Sequence, residues 1–226
     1  MPSFASSAFP PTSDPLAETV QVTLVKVCGV RDLPAALAAA EAGADMIGFH
    51  LCSSRRRITV DEARSIVAEL PTSRRPRLVG VFIDQSEAEV REVAELVGLD
   101  AVQLHGSERP GFYCGRPVIK ALKVRDGAVP DASGWPDPVL LDSWSPDQRG
   151  GTGRAWDWRA ARELSGRRQV IVAGGLDPGN VAEAIRECRP YGVDVSSGVE
   201  ASPGVKDPTL VRAFVQAVRS ADGAGR

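Results

Sequence analysis

The sequence predicts a single (β/α)₈ barrel. Three observations lead to this fold class: eight short apolar segments rich in β-branched residues, amphipathic helical segments between most of them, and a length of 226 residues. Near-continuous apolar strands are typical of a parallel sheet that is covered on both faces. Because these elements use almost the whole chain, a closed barrel is favoured over an open doubly wound sheet or a second domain.

The eight predicted strands begin near Val22 and recur along the chain at spacings that leave room for helices. They are VTLVKVC (22–28), DMIGFHL (45–51), RLVGVFI (77–83), DAVQLHG (100–106), PVIKALKV (117–124), PVLLDS (138–143), QVIVAGG (169–175) and YGVDVSSG (191–198).

The clearest predicted helices are LPAALAAAEAG, TVDEARSIVAEL, SEAEVREVAELVG and NVAEAIREC. Thr59 and Ser86 stand where N-caps are expected, and Pro178 lies near the head of the seventh helix. Gly43 and Gly98 stand where C-terminal caps are expected. By contrast, residues 125–137 (RDGAVPDASGWPD) are rich in turn-forming residues, so the fifth helix is predicted to be short or missing.

The predicted domain organisation is a flexible N-terminal extension at 1–21, the barrel at 22–221 and a tail at 222–226. The extension is rich in Pro, Ser and Ala, and no basic residue precedes an apolar core, so it does not resemble a secretory signal. No apolar run reaches the roughly 18 residues that a membrane span needs.

Composition argues against several classes of partner. The formal net charge is −2 with both signs mixed along the chain, whereas a nucleic-acid-binding protein shows a basic patch. The four cysteines form no CxxC pair, which is typical of free thiols in a reducing cytoplasm. With two histidines in the chain, a zinc site built on a His cluster is hard to assemble.

The first candidate catalytic residue is Cys28, at the end of the first strand. Active sites of such barrels lie at the C-terminal ends of the strands. Because side chains alternate along a strand, Lys26 and Cys28 point to the same side. A thiol beside an ammonium group gains thiolate character, which suits a proton-abstracting base; a lone cysteine is otherwise a small buried apolar residue.

Asp142 ends the sixth strand and is the second candidate. A partly desolvated carboxyl group at the barrel rim is expected to have a raised pKa and to act as an acid; the alternative is a structural turn residue. Asp194 lies within the eighth strand, where contact with substrate hydroxyls and a purely structural role are equally compatible with the pattern.

Two glycine-containing strand ends predict a phosphate site. The seventh strand ends in Ala173-Gly174-Gly175 and the eighth in Ser196-Ser197-Gly198. Barrels of this class bind phosphate on the loops after these two strands, through backbone N–H groups. Glycines let the backbone approach the anion, and serine hydroxyls add donors.

Two further loops have more than one interpretation. The Gly-rich loop 143–156 is either a lid over the site or a surface loop. The run Arg55, Arg56 and Arg57 after the second strand is either a solvated basic loop or the source of an arginine that pairs with a substrate carboxylate.

Taken together, these motifs resemble the phosphoribosylanthranilate isomerase family. The similarity rests on KVCG, VQLHG, LLDS, GGTGRAWDW, AGGLDPGNVAEAI and VDVSSGVEASPGVKD, and it runs in the family's order from about Val22 to Val218. It implies a cytoplasmic (β/α)₈ enzyme of tryptophan biosynthesis, monomeric or homodimeric. It also implies a small phosphorylated substrate and no cofactor or metal.

The resemblance assigns roles residue by residue. It implies that Cys28 is the general base, that Asp142 is the general acid, and that Arg56 holds the anthranilate carboxylate. The implied phosphate-binding residues are Gly174, Gly175, Ser197 and Gly198. Further candidates for substrate binding are Lys26, Gln103, His105 and Asp194.

The implied reaction is an Amadori rearrangement. An acid protonates the ribose ring oxygen and opens the ring to a Schiff base; a base then removes the C2′ proton, and the resulting enolamine tautomerises to the ketone. The two groups need different protonation states at one pH.

Three alternatives remain open at this point. The loop FHLCSSRRRI departs from the family pattern at His50, Leu51 and Cys52, so a modified anthranilate is a possible substrate. A related aminoaldose phosphate, such as the formimino ribotide of histidine biosynthesis, is the second; enzymes acting on it use an aspartate where Cys28 stands. A non-catalytic barrel that senses a phosphorylated metabolite is the third.

Overall fold

Eight parallel strands close into a barrel in sequence order, each hydrogen-bonded to its two neighbours and β8 to β1. In this computed structural model, residues 22–125, 127–143 and 157–224 are described. The strands are β1 (Leu24–Cys28), β2 (Met46–His50), β3 (Arg77–Phe82), β4 (Ala101–Leu104), β5 (Val118–Val124), β6 (Val139–Ser143), β7 (Val170–Ala173) and β8 (Gly192–Val195). The predicted barrel is confirmed.

Five strands end earlier than predicted: β2 and β3 by one residue, β4 and β7 by two, and β8 by three. Backbone conformation explains the ends of β7 and β8. β7 stops at Ala173 because Gly174 and Gly175 have φ values of 85° and 70°, outside the extended region. β8 stops at Val195 because the chain turns into a short 3₁₀ helix, Ser197–Val199.

The described residues form six α-helices around the barrel: α1 (Leu33–Ala42), α2 (Val60–Glu69), α3 (Glu87–Val97), α4 (Arg162–Ser165), α5 (Val181–Cys188) and α6 (Pro208–Ala224). Thr59 and Ser86 each form a capping box, which satisfies backbone donors at the starts of α2 and α3. Gly43 and Gly98 end α1 and α3 in the left-handed conformation, as predicted.

The helix layer is thinnest on the side of β4 and β5. Among the described residues of the loop after β5, turns connect it to β6 without a helix, in agreement with the prediction for the fifth unit. Residues 105–117, all described, also form turns without a helix. Glu108 replaces helix packing there: it accepts hydrogen bonds from the backbone of Asp84 and Gly106 and pairs with buried Lys120 at 2.6 Å.

The C-terminal helix is longer than the predicted boundary at 221. α6 continues to Ala224, because the Asp222 carboxylate accepts hydrogen bonds from the Thr23 backbone and hydroxyl at 3.1 and 2.7 Å. This contact ties the end of the chain to the start of the barrel. The predicted N-terminal extension and most of loop 143–156 lie outside the described residues.

The barrel interior is apolar at the bottom and polar at the top. Near the N-terminal ends of the strands it is filled by a cluster that includes Met46, Val79, Ile119, Leu140 and Ile171. Alternation then brings polar side chains inward toward the C-terminal ends. The larger apolar core lies between the barrel and the helices. The barrel therefore positions its polar groups at one open end.

Candidate active site

Cys28 lies inside the barrel at the end of β1, above Lys26. Both are buried, and the charge of Cys28 contributes to the raised pKa of Lys26. Gly48 of β2 makes room for the pair, since a Cβ there would stand 2.8 Å from Cys28 Sγ and 3.2 Å from Lys26 Nζ. The predicted alternation of Lys26 and Cys28 is therefore found, and the thiol faces the interior rather than the helix layer.

Lys26 connects Cys28 to Asp194 on the neighbouring strand. Its Nζ donates to Asp194 Oδ1 at 2.9 Å. Burial lowers the pKa of Lys26, but the charges of Asp194 and Cys28 more than offset it and the pKa is raised. Burial raises the pKa of Asp194 to about 7, because Lys26 only partly compensates and the charges of Cys28 and Asp142 add to the effect.

Asp142 ends β6 and is held by two partners. Lys123 Nζ donates to Asp142 Oδ2 at 2.5 Å, and His105 Nε2 lies 3.4 Å from the same oxygen. The predicted rise in the pKa of Asp142 is wrong. Burial raises this pKa, but the hydrogen bond from His105 and the charge of Lys123 outweigh burial and lower it to about 2.

Gln103 and His105 extend this cluster along β4. Gln103 is buried, and its Nε2 lies 3.3 Å from His105 Nδ1. The carbonyl oxygen of Gln103, Oε1, has no hydrogen-bond partner among the described residues. An unpaired buried acceptor is costly, so this oxygen is suited to accept a hydrogen bond from a bound hydroxyl group.

The two loops predicted to bind phosphate lie against each other. Gly198, in the 3₁₀ helix after β8, packs so closely on the Leu176 carbonyl group that a Cβ would overlap it. Gly174 packs in the same way on Ser143 at the end of β6. Asn180 Nδ2 donates to Gly175 O at 2.7 Å, which fixes the loop after β7. Gly174, Gly175, Ser197 and Gly198 therefore border one region of the barrel mouth.

Arg56 is engaged by a residue of the chain itself. Its Nε and Nη2 donate to the two oxygens of Glu200 at 2.6 and 2.9 Å, and its side chain packs on Gly29. Glu200 also pairs with Lys206 at 2.9 Å, in a hairpin of β9 (Glu200–Ser202) and β10 (Val205–Lys206). Burial opposes ionisation of Glu200, yet Arg56 and Lys206 lower its pKa to about 2. Nη1 is the guanidinium nitrogen left for a ligand.

A cavity of about 270 Å³ opens beside this loop. It is lined by Leu51, Cys52, Ser53, Arg57, Ile83 and Gln85. Cys52 packs against Cys28 and Val81, so the cavity adjoins the barrel mouth. Its lining combines two apolar side chains with hydroxyl, amide and guanidinium groups.

Comparison with known proteins identifies the family. A model of the N-(5′-phosphoribosyl)anthranilate (PRA) isomerase family matches residues 25–217. The chain is 47% identical over 206 residues to N-(5′-phosphoribosyl)anthranilate isomerase of Desulforudis audaxviator, covering 88% of this chain and all of that one. The chain belongs to the PRA isomerase family.

Solved structures agree with this assignment. Phosphoribosyl anthranilate isomerase from Thermus thermophilus superposes with a TM-score of 0.79 at 39% identity, covering 88% of this chain and 99% of that one. A PRA isomerase in complex with reduced 1-(o-carboxyphenylamino)-1-deoxyribulose 5-phosphate gives a TM-score of 0.74 at 35% identity and the same coverage. The predicted family and fold are confirmed.

Sequence reasoning missed three residues of the mouth in this PRA isomerase homologue. Lys123 and His50 both alternate inward at strand ends, so strand parity was the signal that could have found them. Glu200 left no such signal, because its role depends on the hairpin that folds back over Arg56.

No group of three or more His, Cys, Asp or Glu side chains in the described ranges is placed to hold a metal ion. No helix among residues 22–125, 127–143 and 157–224 is long and apolar enough to cross a membrane. That the reaction needs no cofactor stays a prediction.

Proposed function

We propose that this chain converts N-(5′-phosphoribosyl)anthranilate to 1-(2-carboxyphenylamino)-1-deoxyribulose 5-phosphate, a step of tryptophan biosynthesis, with Cys28 as base and Asp142 as acid. One observation carries the proposal. Cys28 and Asp142 lie at the C-terminal ends of β1 and β6 in one closed parallel barrel, so the two candidates lie at the same open end. Paired acid and base groups in one cavity are what an aldose–ketose rearrangement needs.

In the first step Asp142 donates a proton to the ribose ring oxygen. The C1′–O bond breaks, and the nitrogen lone pair forms a C1′=N iminium ion. With a pKa of about 2, Asp142 is ionised in the free enzyme, so it must gain a proton before this step. His105 and Lys123 both contact Oδ2, so both border the atom that must carry this proton.

In the second step the Cys28 thiolate removes the C2′ proton. The C2′–H electron pair forms a C1′=C2′ double bond, and the iminium nitrogen accepts the displaced pair to give the enolamine. Loss of the 2′-hydroxyl proton and protonation at C1′ then give the ketone. The cations Lys26, Arg56 and Lys206 each interact favourably with a negative charge on Cys28.

Binding is assigned to the surrounding groups. We assign the phosphate to the adjoining loops after β7 and β8, where Gly174, Gly175, Ser197 and Gly198 lie. The Gln103 carbonyl oxygen and Asp194 are suited to ribose hydroxyl groups. We assign the anthranilate carboxylate to Arg56 through Nη1, with Glu200 holding the guanidinium plane.

The test is turnover of freshly prepared phosphoribosylanthranilate by purified protein, followed as loss of anthranilate fluorescence. We expect saturable turnover with kcat in the ordinary range for enzymes, about 1–10³ s⁻¹. A rate equal to buffer would refute the activity, and calorimetric binding of a product analogue without turnover would point to a sensor instead.

The cavity beside Cys52 favours a second candidate, in which the anthranilate ring carries a polar substituent. Ser53, Arg57 and Gln85 supply hydrogen-bonding groups there. A ring-hydroxylated substrate turned over with a higher kcat/KM than the unsubstituted one would support it. A lower value would leave unsubstituted anthranilate as the substrate.

A further inference from the structure

His50 contacts the proposed base directly. It ends β2 inside the barrel, where its Nε2 lies 3.4 Å from Cys28 Sγ. On the other side of the ring, Nδ1 lies 2.7 Å from Ser54 Oγ. Ser54 Oγ in turn accepts a hydrogen bond from the Arg56 backbone N–H at 3.0 Å. A continuous chain of hydrogen-bonding groups therefore leads from the loop after β2 to the thiol.

Burial and the surrounding cations keep His50 neutral. Burial lowers its pKa to about 3, and the cations Lys26, Arg56 and Lys206 contribute while Asp194 opposes them. Two other titratable groups face His50 and Cys28. The charge of Cys28 raises the pKa of Cys52, and Glu200 binds Arg56 and Lys206. A neutral imidazole carries one N–H, so its tautomer decides what it offers to Cys28.

When Cys28 is a thiolate, the hydrogen bonds around His50 are satisfied by one tautomer of its ring. A thiolate has no proton, so the 3.4 Å contact is favourable only if Nε2 carries the hydrogen. Nδ1 is then an acceptor, and Ser54 must donate to it. The Ser54 hydroxyl can do so while its oxygen accepts the Arg56 N–H. The Arg56 N–H then donates to Ser54, Ser54 donates to His50, and His50 donates to Cys28.

We propose that His50, oriented by Ser54, is a positioning residue that donates a hydrogen bond to the Cys28 thiolate and holds it in the geometry for proton abstraction. This inference rests on the proposed function, in which Cys28 is the base. A residue that only fills space would behave differently. The backbone bonds of this segment, such as Ile58 N to His50 O at 3.0 Å, do not depend on the imidazole and remain when the side chain is changed.

The experiment compares His50→Leu, His50→Gln and Ser54→Ala with wild type. Two quantities are measured against pH: kcat/KM for phosphoribosylanthranilate, and the rate of Cys28 alkylation by iodoacetamide, read from the Cys28 peptide by mass spectrometry. In His50→Leu the acid limb of both profiles should move up by about one pH unit, the loss expected for one hydrogen bond to a charged group. At neutral pH kcat should fall about tenfold with KM little changed.

The other variants separate positioning from packing. His50→Gln retains an N–H near the Nε2 position and should recover most of the shift, whereas Ser54→Ala should move both profiles in the same direction by less. Equal profiles in wild type and His50→Leu would overturn the inference. So would equal losses of kcat in the Leu and Gln variants without a pH shift. If His50→Leu does not fold, the Gln and Ala variants still decide.

Alkylation also separates this inference from the activity itself. If wild type does not turn over the substrate but His50→Leu still shifts the alkylation profile, the proposed function fails and the His50–Cys28 contact stands. If turnover is normal and alkylation does not respond to any of the three variants, the positioning role fails alone.

Discussion

The two sides of the barrel mouth differ in the charged groups that surround the proposed base and the proposed acid. On the β1–β2 side, Cys28 is surrounded by Lys26, Arg56 and Lys206 and contacts a neutral imidazole. On the β4–β6 side, a carboxylate is compensated by Lys123 and its pKa is lowered to about 2. The first arrangement places three cations around the group proposed to act as a base. The second favours the ionised form of a group proposed to act as an acid.

The two sides therefore differ in what the proposed reaction requires of them. Asp142 must gain a proton before it can act as an acid, and His105 and Lys123 both contact its Oδ2 atom. Substrate binding, which excludes water from the mouth, is expected to raise the pKa of Asp142 and complete the acid side.

The largest effect is expected on the base side. Cys28→Ala removes the proposed proton acceptor, so kcat should fall by a factor on the order of 10²–10⁴ with a modest change in KM. Cys188→Ala is a matched control, because it deletes a buried thiol from α5, away from the mouth. Steady-state kinetics on both proteins decide, and equal kcat values would contradict the role of Cys28.

A loss of similar order is expected on the acid side. Asp142→Asn keeps the shape of the side chain but cannot donate an acidic proton, so kcat should fall by a factor on the order of 10²–10⁴. Asp137→Asn, at the opposite end of β6, provides the control. If kcat in Asp142→Asn equals that of the control, the acid is another group, and Lys123 or His105 becomes the candidate.

Most of the fold was predictable, whereas the electrostatics of the site were not. Strand parity placed Lys26 and Cys28 inside the barrel, and the end of the sixth strand placed Asp142 at its rim. The caps at Thr59 and Ser86 follow from local chemistry alone. The pKa of Asp142 depends on the side chain of Lys123, nineteen residues earlier in the chain, and the state of Arg56 depends on Glu200. Such pairings exist only once the strands are in register.

Substrate binding should respond to Arg56. In Arg56→Ala the proposed carboxylate contact is lost, so KM should rise about tenfold or more while kcat changes less. Arg55→Ala is the matched comparison, because Arg55 is exposed and lies next in the chain. A higher KM in Arg55→Ala than in Arg56→Ala would reassign the carboxylate contact within the arginine run.

The smallest effect concerns stability and tests whether the imidazole of His50 is neutral. Because its pKa falls from 6.5 to about 3 on folding, the unfolded chain takes up the proton first as pH decreases. Stability from this group is complete above pH 6.5 and is lost toward pH 3. Between pH 6.5 and 5, the free energy of unfolding measured with denaturant should fall by about 2 kcal/mol more in wild type than in His50→Gln. Parallel losses would show that His50 titrates normally.

The assignment of Cys28 as the base and Asp142 as the acid is tested most directly by one isotope measurement. Phosphoribosylanthranilate carrying deuterium at C2′ is compared with unlabelled substrate in Cys28→Ala and Asp142→Asn. If Cys28 removes the C2′ proton and Asp142 opens the ring, the isotope effect on kcat is full in Cys28→Ala and falls toward unity in Asp142→Asn, where ring opening limits the rate. The reverse pattern, or equal isotope effects in both variants, would contradict the account.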